Sequence, residues 1–191
     1  RGLALLENML ATSAVLFVMI EVFLPISRAH FNPVVTAWAR SRGELSWTEA
    51  AGYVGAQLGG AVGGVLVANA MFDVPTTWAT TSRLTAQTLG AEGVATCGLL
   101  IVIAALVRSG RSDRVAVAVA AYIAGAHWFT SSTSFANPAV SLARTLSDTF
   151  TGIAPVDALG FVVAQALGAG LGVLVIRLGF PAREPAAESP T

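Results

Sequence analysis

The sequence predicts an all-α membrane protein built as an inverted repeat, with two re-entrant half-helices that meet inside the bilayer. Three observations carry this. Apolar residues make up 54% of the 191-residue chain and charged residues only 12%, about half the charged share of an ordinary soluble domain and too little to clothe a water-facing surface. Five stretches are long and apolar enough to cross a bilayer, which takes about 20 residues of helix. Two short segments, each opening on Asn-Pro, stand at matching places in the two halves.

The first apolar stretch covers residues 3–26 and is interrupted by Glu7 and Glu21. Glu21 is expected to pair with Arg28, and Glu7 to lie near the outer interface. The second covers residues 47–72 and the third 89–107. The fourth begins at Val115 and fades into the Ser/Thr-rich run 130–134, and the fifth covers 156–180. All are rich in Gly and Ala, as in the run Gly59-Gly60-Ala61-Val62-Gly63-Gly64 and in Gly168-Ala169-Gly170-Leu171-Gly172. Small residues let membrane helices approach closely, so these faces are expected to pack on one another.

Residues 32–42 and 137–147 are too short and too polar to span. Proline suits the first turn of a helix, where its missing N–H is no loss, so Asn32 and Asn137 read as N-caps of short helices starting at Pro33 and Pro138. Such short helices belong at membrane depth only where they are buried or line a wet cavity. Two of them point to a pore.

The halves also match in sequence. His30-Phe31-Asn32-Pro33-Val34-Val35 corresponds to Phe135-Ala136-Asn137-Pro138-Ala139-Val140, and Val54-Gly55-Ala56-Gln57 to Val162-Val163-Ala164-Gln165. The second half runs span, span, half-helix, span, while the first runs span, half-helix, span. Three spans per half would invert the repeats, as in many membrane transport proteins. One N-terminal helix is therefore expected to be absent from this chain. Residues 1–180 would form the channel domain and 181–191, rich in Pro, Ala and Glu, a disordered tail.

Arginine sets the expected orientation, since there is no Lys. Arg28, Arg40, Arg42, Arg108, Arg111, Arg114, Arg177 and Arg183 would mark the cytoplasmic face, leaving Arg1, Arg83 and Arg144 outside. Zero net charge offers nothing to a nucleic acid. The single Cys97 excludes an internal disulfide and a cysteine metal cluster, and as a lone thiol in a span it reads as core. With no nucleophile–base pair, metal cluster or phosphate loop, neither an enzyme nor a cofactor is expected.

These marks together resemble the aquaporin (major intrinsic protein) family. They are His30-Phe31-Asn32-Pro33-Val34, Ser134-Phe135-Ala136-Asn137-Pro138-Ala139, and Glu92 with Thr96 in the third stretch. The resemblance reaches to about residue 180 and implies six spans, two re-entrant half-helices and homotetramers with one pore per subunit. The pore centre would comprise Asn32, Pro33, Val34, Asn137, Pro138 and Ala139, with Val34 replacing the usual Ala of the first motif. Asn32 and Asn137 would donate hydrogen bonds to passing oxygens, while the two helix N-termini oppose cations. Glu92 would brace a re-entrant loop by accepting its backbone N–H groups, and His30 would brace the other. His127 would line the vestibule or pack between helices.

Counted from the motifs, the family's outer selectivity constriction falls at Thr12, Gly125, Ser134 and Val140. The last position is usually Arg, so this constriction is expected to be wide, weakly polar and uncharged. Arg144 is expected to face the outer vestibule or to pair with Asp148. The run from Thr130 to Phe150 is similar to a bacterial subgroup associated with arsenite export that also lacks the filter Arg. The implied function is a passive channel in the cell membrane for arsenous acid, glycerol and some water, multi-pass with a cytoplasmic C-terminus. A water-selective pore and an ion-coupled transporter are the alternatives.

Overall fold

The computed structural model describes residues 2–179. Seven α-helices follow one another: α1 (Gly2–Ser27), α2 (Pro33–Ser41), α3 (Trp47–Met71), α4 (Ala86–Arg108), α5 (Val115–Phe129), α6 (Pro138–Ala143) and α7 (Pro155–Gly179). Single 3-10 turns precede α5 at Ser112–Arg114 and follow α6 at Arg144–Leu146. No strand occurs among the described residues. The expected disordered tail lies outside them.

Local chemistry sets the helix boundaries. Ser46 and Glu49 form a reciprocal capping box at the start of α3, as do Thr85 and Thr88 at the start of α4, each satisfying backbone N–H groups that have no partner within the helix. Pro33 and Pro138 occupy the first turns of α2 and α6, and Pro155 opens α7. Helix α1 runs through Pro25 and stops at Ser27, where the chain turns left-handed at Arg28 and Ala29.

Helices α1, α3, α4 and α7 are each long and apolar enough to cross a membrane. The fourth expected span, α5, is shorter, with 15 residues rising about 22 Å. It ends because Thr130 turns extended and its hydroxyl donates back to the Ala126 carbonyl at 2.7 Å, handing the chain to a re-entrant loop. Large apolar side chains such as Leu10, Val22, Val67, Val94, Leu167 and Leu178 lie exposed, as a lipid-facing surface requires.

The most extensive helix contact joins α4 and α7, followed by α1 and α5. Close approach at the first depends on missing side chains. A Cβ on Gly168 would lie 2.2 Å from the Gly93 carbonyl oxygen, so α4 and α7 touch backbone to backbone. In α3, by contrast, Gly59, Gly60, Gly63 and Gly64 meet no neighbour within 4 Å among the described residues. The expected glycine packing is therefore seen between α4 and α7, while the glycine run of α3 has no described helix against it.

Candidate functional site

The two re-entrant loops share one construction. Four and three residues before each asparagine the backbone turns left-handed, with φ of 55° at Arg28 and 49° at Ala29, and 64° at Thr133 and 51° at Ser134. Residues other than glycine hold such angles where their surroundings over-determine them. Each asparagine is then extended and caps its half-helix. Asn32 Oδ1 accepts the Val34 N–H at 3.1 Å, and Asn137 Oδ1 accepts those of Ala139 at 3.0 Å and Val140 at 3.4 Å.

With both amide oxygens so engaged, the amide nitrogens reach across. Asn32 Nδ2 donates to the Ala136 carbonyl at 2.7 Å, and Asn137 Nδ2 to the Phe31 carbonyl at 2.8 Å. Each asparagine thus holds the residue preceding the other, a reciprocal clasp between loops 104 and 106 positions apart. An amide nitrogen carries two N–H groups, so one on each remains for another acceptor. The two half-helices touch, and the clasp joins the residues at their N-terminal caps.

Asn32 and Asn137 line one cavity of about 410 Å³. Three helices supply its walls in rows spaced by four, a single ridge of a helix face. These are Thr12, Leu16, Ile20 and Leu24 of α1, Leu99, Ile103 and Val107 of α4, and Val115, Val119, Ile123 and His127 of α5. Arg28, Arg42 and Glu44 line the cavity near one end, where Glu44 holds Arg42 at 2.6 Å and Arg28 at 3.6 Å. Glu44, not Glu21, is the partner of Arg28, because the left-handed turn at Arg28 carries it away from α1 toward the end of α2.

Two different devices hold the loops. Glu92, fully buried on α4, accepts from Ser132 Oγ at 2.6 Å, from the N–H groups of Phe135 and Ala136 at 2.8 Å each, and from Gln165 Nε2 at 2.6 Å. A buried carboxylate is tolerable when all its lone pairs are used in this way. The other loop is held by neutral groups. Gln57 donates to the His30 carbonyl and, at 2.9 Å, to Thr36 Oγ1, while Tyr53 donates to the Ser27 carbonyl at 2.8 Å. His30 is thus held through its backbone; its ring packs 5.2 Å from that of Tyr53. In the sequence, Gln57 and Gln165 stand out only as marks of the repeat. That two amides sit in apolar spans is the available signal of a bracing role.

Comparison with known proteins agrees with this geometry. Residues 2–131 match the family described as Major intrinsic protein. Over 178 residues the chain is 46% identical to aquaglyceroporin AqpS of Rhizobium meliloti (strain 1021), covering 92% of this chain and 76% of that protein. The chain belongs to the major intrinsic protein family. It is a multi-pass membrane channel for small neutral solutes, all-α in the aquaporin manner, and not an enzyme.

Of the four positions expected to form the outer constriction, Thr12, Ser134 and Val140 line the cavity and Gly125 does not. Gly125 is exposed, with only the Phe129 ring near its missing side chain. It sits two residues past Ile123, about halfway round the helix and so on the face opposite the cavity row, whereas His127 continues that row. His127 Nδ1 is 2.7 Å from the Ile123 carbonyl and must donate to it, so in the neutral ring Nε2 is the acceptor; it has no protein partner. Val34 and Ala139 are buried beside their caps and do not line the cavity, nor does Cys97. Pro33 and Pro138 serve as first-turn residues.

Arg144 also lines the cavity and does not pair with Asp148. Asp148 accepts instead from the Thr80 N–H at 2.9 Å and the Thr80 hydroxyl at 3.1 Å, while the Arg144 guanidinium lies 4.4 Å from the Phe135 ring centroid. The aromatic face offers the cation a closer resting place than an exposed carboxylate one turn on.

Proposed function

We propose that this channel conducts solutes wider than water, with arsenous acid and glycerol as its leading substrates and water passing as well. Val140 carries the reading. It lies on the cavity wall directly after Asn137-Pro138-Ala139, where an apolar side chain neither fills the bore nor charges it. The relationship to a protein named an aquaglyceroporin supports glycerol; arsenous acid rests on the resemblance of residues 130–150 to the arsenite-associated subgroup.

The physical scheme needs no energy source. The two half-helix N-termini each carry a partial positive charge of about half a unit and oppose cations at the centre. Asn32 and Asn137 offer their remaining N–H groups to a passing hydroxyl, which turns its protons away from the neighbour and interrupts a proton relay. Arg28, Arg42, Arg108, Arg111, Arg114 and Arg177 gather toward one end, which by charge asymmetry would face the cytoplasm with the C-terminus. The plasma or inner membrane is the proposed location, and homotetramers the proposed assembly.

Side-by-side uptake of arsenite, glycerol and water into proteoliposomes tests this. Val140→Arg should reduce arsenite and glycerol uptake by about tenfold or more while leaving most of the water flux. Equal loss of all three would sink the argument. One observation favours the narrower, water-selective reading: His127 stands on the wall at the level where glycine was expected. Fast water flux without glycerol or arsenite uptake would establish that alternative.

A further inference from the structure

Charge is distributed unequally between the two ends of the cavity. At the end bearing Arg28 and Arg42, Glu44 neutralises both guanidiniums. At the opposite end no carboxylate among the described residues pairs with Arg144 at contact distance; the buried Glu92, engaged by the loop and Gln165, acts on it only at longer range. Asp148 is engaged by Thr80, and Asp157 by the Ser82 hydroxyl at 2.9 Å and the N–H groups of Arg83 and Leu84. No hydrogen bond or ion pair ties the Arg144 guanidinium to another described residue, and it lines the cavity.

Its position is nonetheless defined. The Phe135 ring beneath it is 5% exposed, packs edge-on against Phe161 at 5.3 Å, and belongs to the residue whose N–H is held by Glu92 at 2.8 Å. Arg83 approaches the same ring at 5.5 Å, but two of its five N–H groups donate to the Gly152 and Phe150 carbonyls at 2.7 and 2.6 Å, and it does not line the cavity. Of these two guanidiniums, the one that lines the cavity is Arg144, one helical turn beyond Val140 and about 10 Å along the helix from Asn137.

We propose that Arg144, laid on Phe135, is the charged specificity residue of the outer constriction, excluding cations from the stretch of pore that Val140 leaves wide and uncharged. This deepens the neutral-solute reading and rests on it. Arginine suits this role because its charge is permanent and its planar group can lie on a ring while its edge donates to solute oxygens. The outer part of the pore then rejects cations before they meet the central helix ends, so the two barriers act in series.

The test reads entry into the outer constriction rather than passage through the whole pore. Glycerol flux is measured in proteoliposomes of the full chain with methylammonium added as a blocker. In the wild type, flux should be nearly insensitive to methylammonium. Arg144→Gln should lower glycerol flux only in part, and its remaining flux, read as a fraction of its own unblocked value, should be at least about tenfold more sensitive to block; Arg144→Lys, which keeps the charge, should restore insensitivity. A second measurement needs no variant: raising inert, osmotically balanced salt from about 0.01 M to about 0.1 M shortens the screening length roughly threefold and should make the wild type more sensitive to block. Glycerol flux in Arg144→Gln with unchanged block, or salt independence in the wild type, would overturn the assignment to Arg144 alone. No flux of any neutral solute through the wild type would overturn the pore reading as well.

Discussion

The two re-entrant loops are alike in backbone and unlike in what holds them. Both turn left-handed four and three residues before asparagine, both start a helix on proline, and both are clasped by the other's asparagine. Both also have a hydroxyl four residues after that asparagine, Thr36 and Ser141, which accepts from Gln57 at 2.9 Å and from Gln165 at 2.8 Å. Beyond this the symmetry stops. Gln165 also donates to the buried charge of Glu92, whereas Gln57 donates to a backbone carbonyl. The shared part meets the demands of the pore centre, and the differing part shows two ways of fastening irregular backbone at membrane depth, one ionic and one neutral.

The comparison is broken most severely at Glu92. In Glu92→Gln an amide nitrogen would face donors that now point at a carboxylate oxygen, leaving buried N–H groups without acceptors. A loss of about 3–5 kcal/mol is expected, seen as collapse of glycerol flux and early heat-induced aggregation in detergent. A variant as stable as the wild type would remove the ionic brace from the account.

A smaller effect separates the two glycine-rich helices. Gly168→Ala places a methyl against the Gly93 backbone and should cost about 1–3 kcal/mol as overpacking. Gly60→Ala, at the corresponding place in the first half, meets no described neighbour and, in this chain as it stands, should cost less than Gly168→Ala. Melting both variants beside the wild type checks this, and equal losses would count against the asymmetry. The smallest difference is expected between Gln165→Leu and Gln57→Leu. A hydrogen bond to a charged group contributes about 1.5–3 kcal/mol and a neutral one about 0.5–1.5, so the first variant should be the less stable by about 1 kcal/mol. A reversed order would show that the first loop depends more on its amide than the second does.

Much of this was legible along the chain. Span lengths and the Asn-Pro starts follow from local rules of hydropathy and capping, and Glu92 stood out because an unpaired carboxylate in a span is costly. The outer constriction was less legible. A fixed offset from the motif pointed to Gly125, but helical register decides which side chains meet the cavity, and the row at 115, 119, 123 and 127 selects His127. That row was present in the sequence as a spacing of four, yet nothing in α5 alone tells its cavity face from its lipid face, since both are apolar.

The sequence by itself determined the membrane-length helices and the two asparagine-capped half-helices, because each of those is specified by neighbours within a turn or two, and the repeat showed as matching motifs in the two halves. Only the tertiary structure decided that Arg144 rests on Phe135 rather than on Asp148, that Arg28 turns to Glu44, and that the asparagines clasp each other's loops. Those choices join residues from segments far apart in the chain, and their energies depend on which partners packing has already placed within reach.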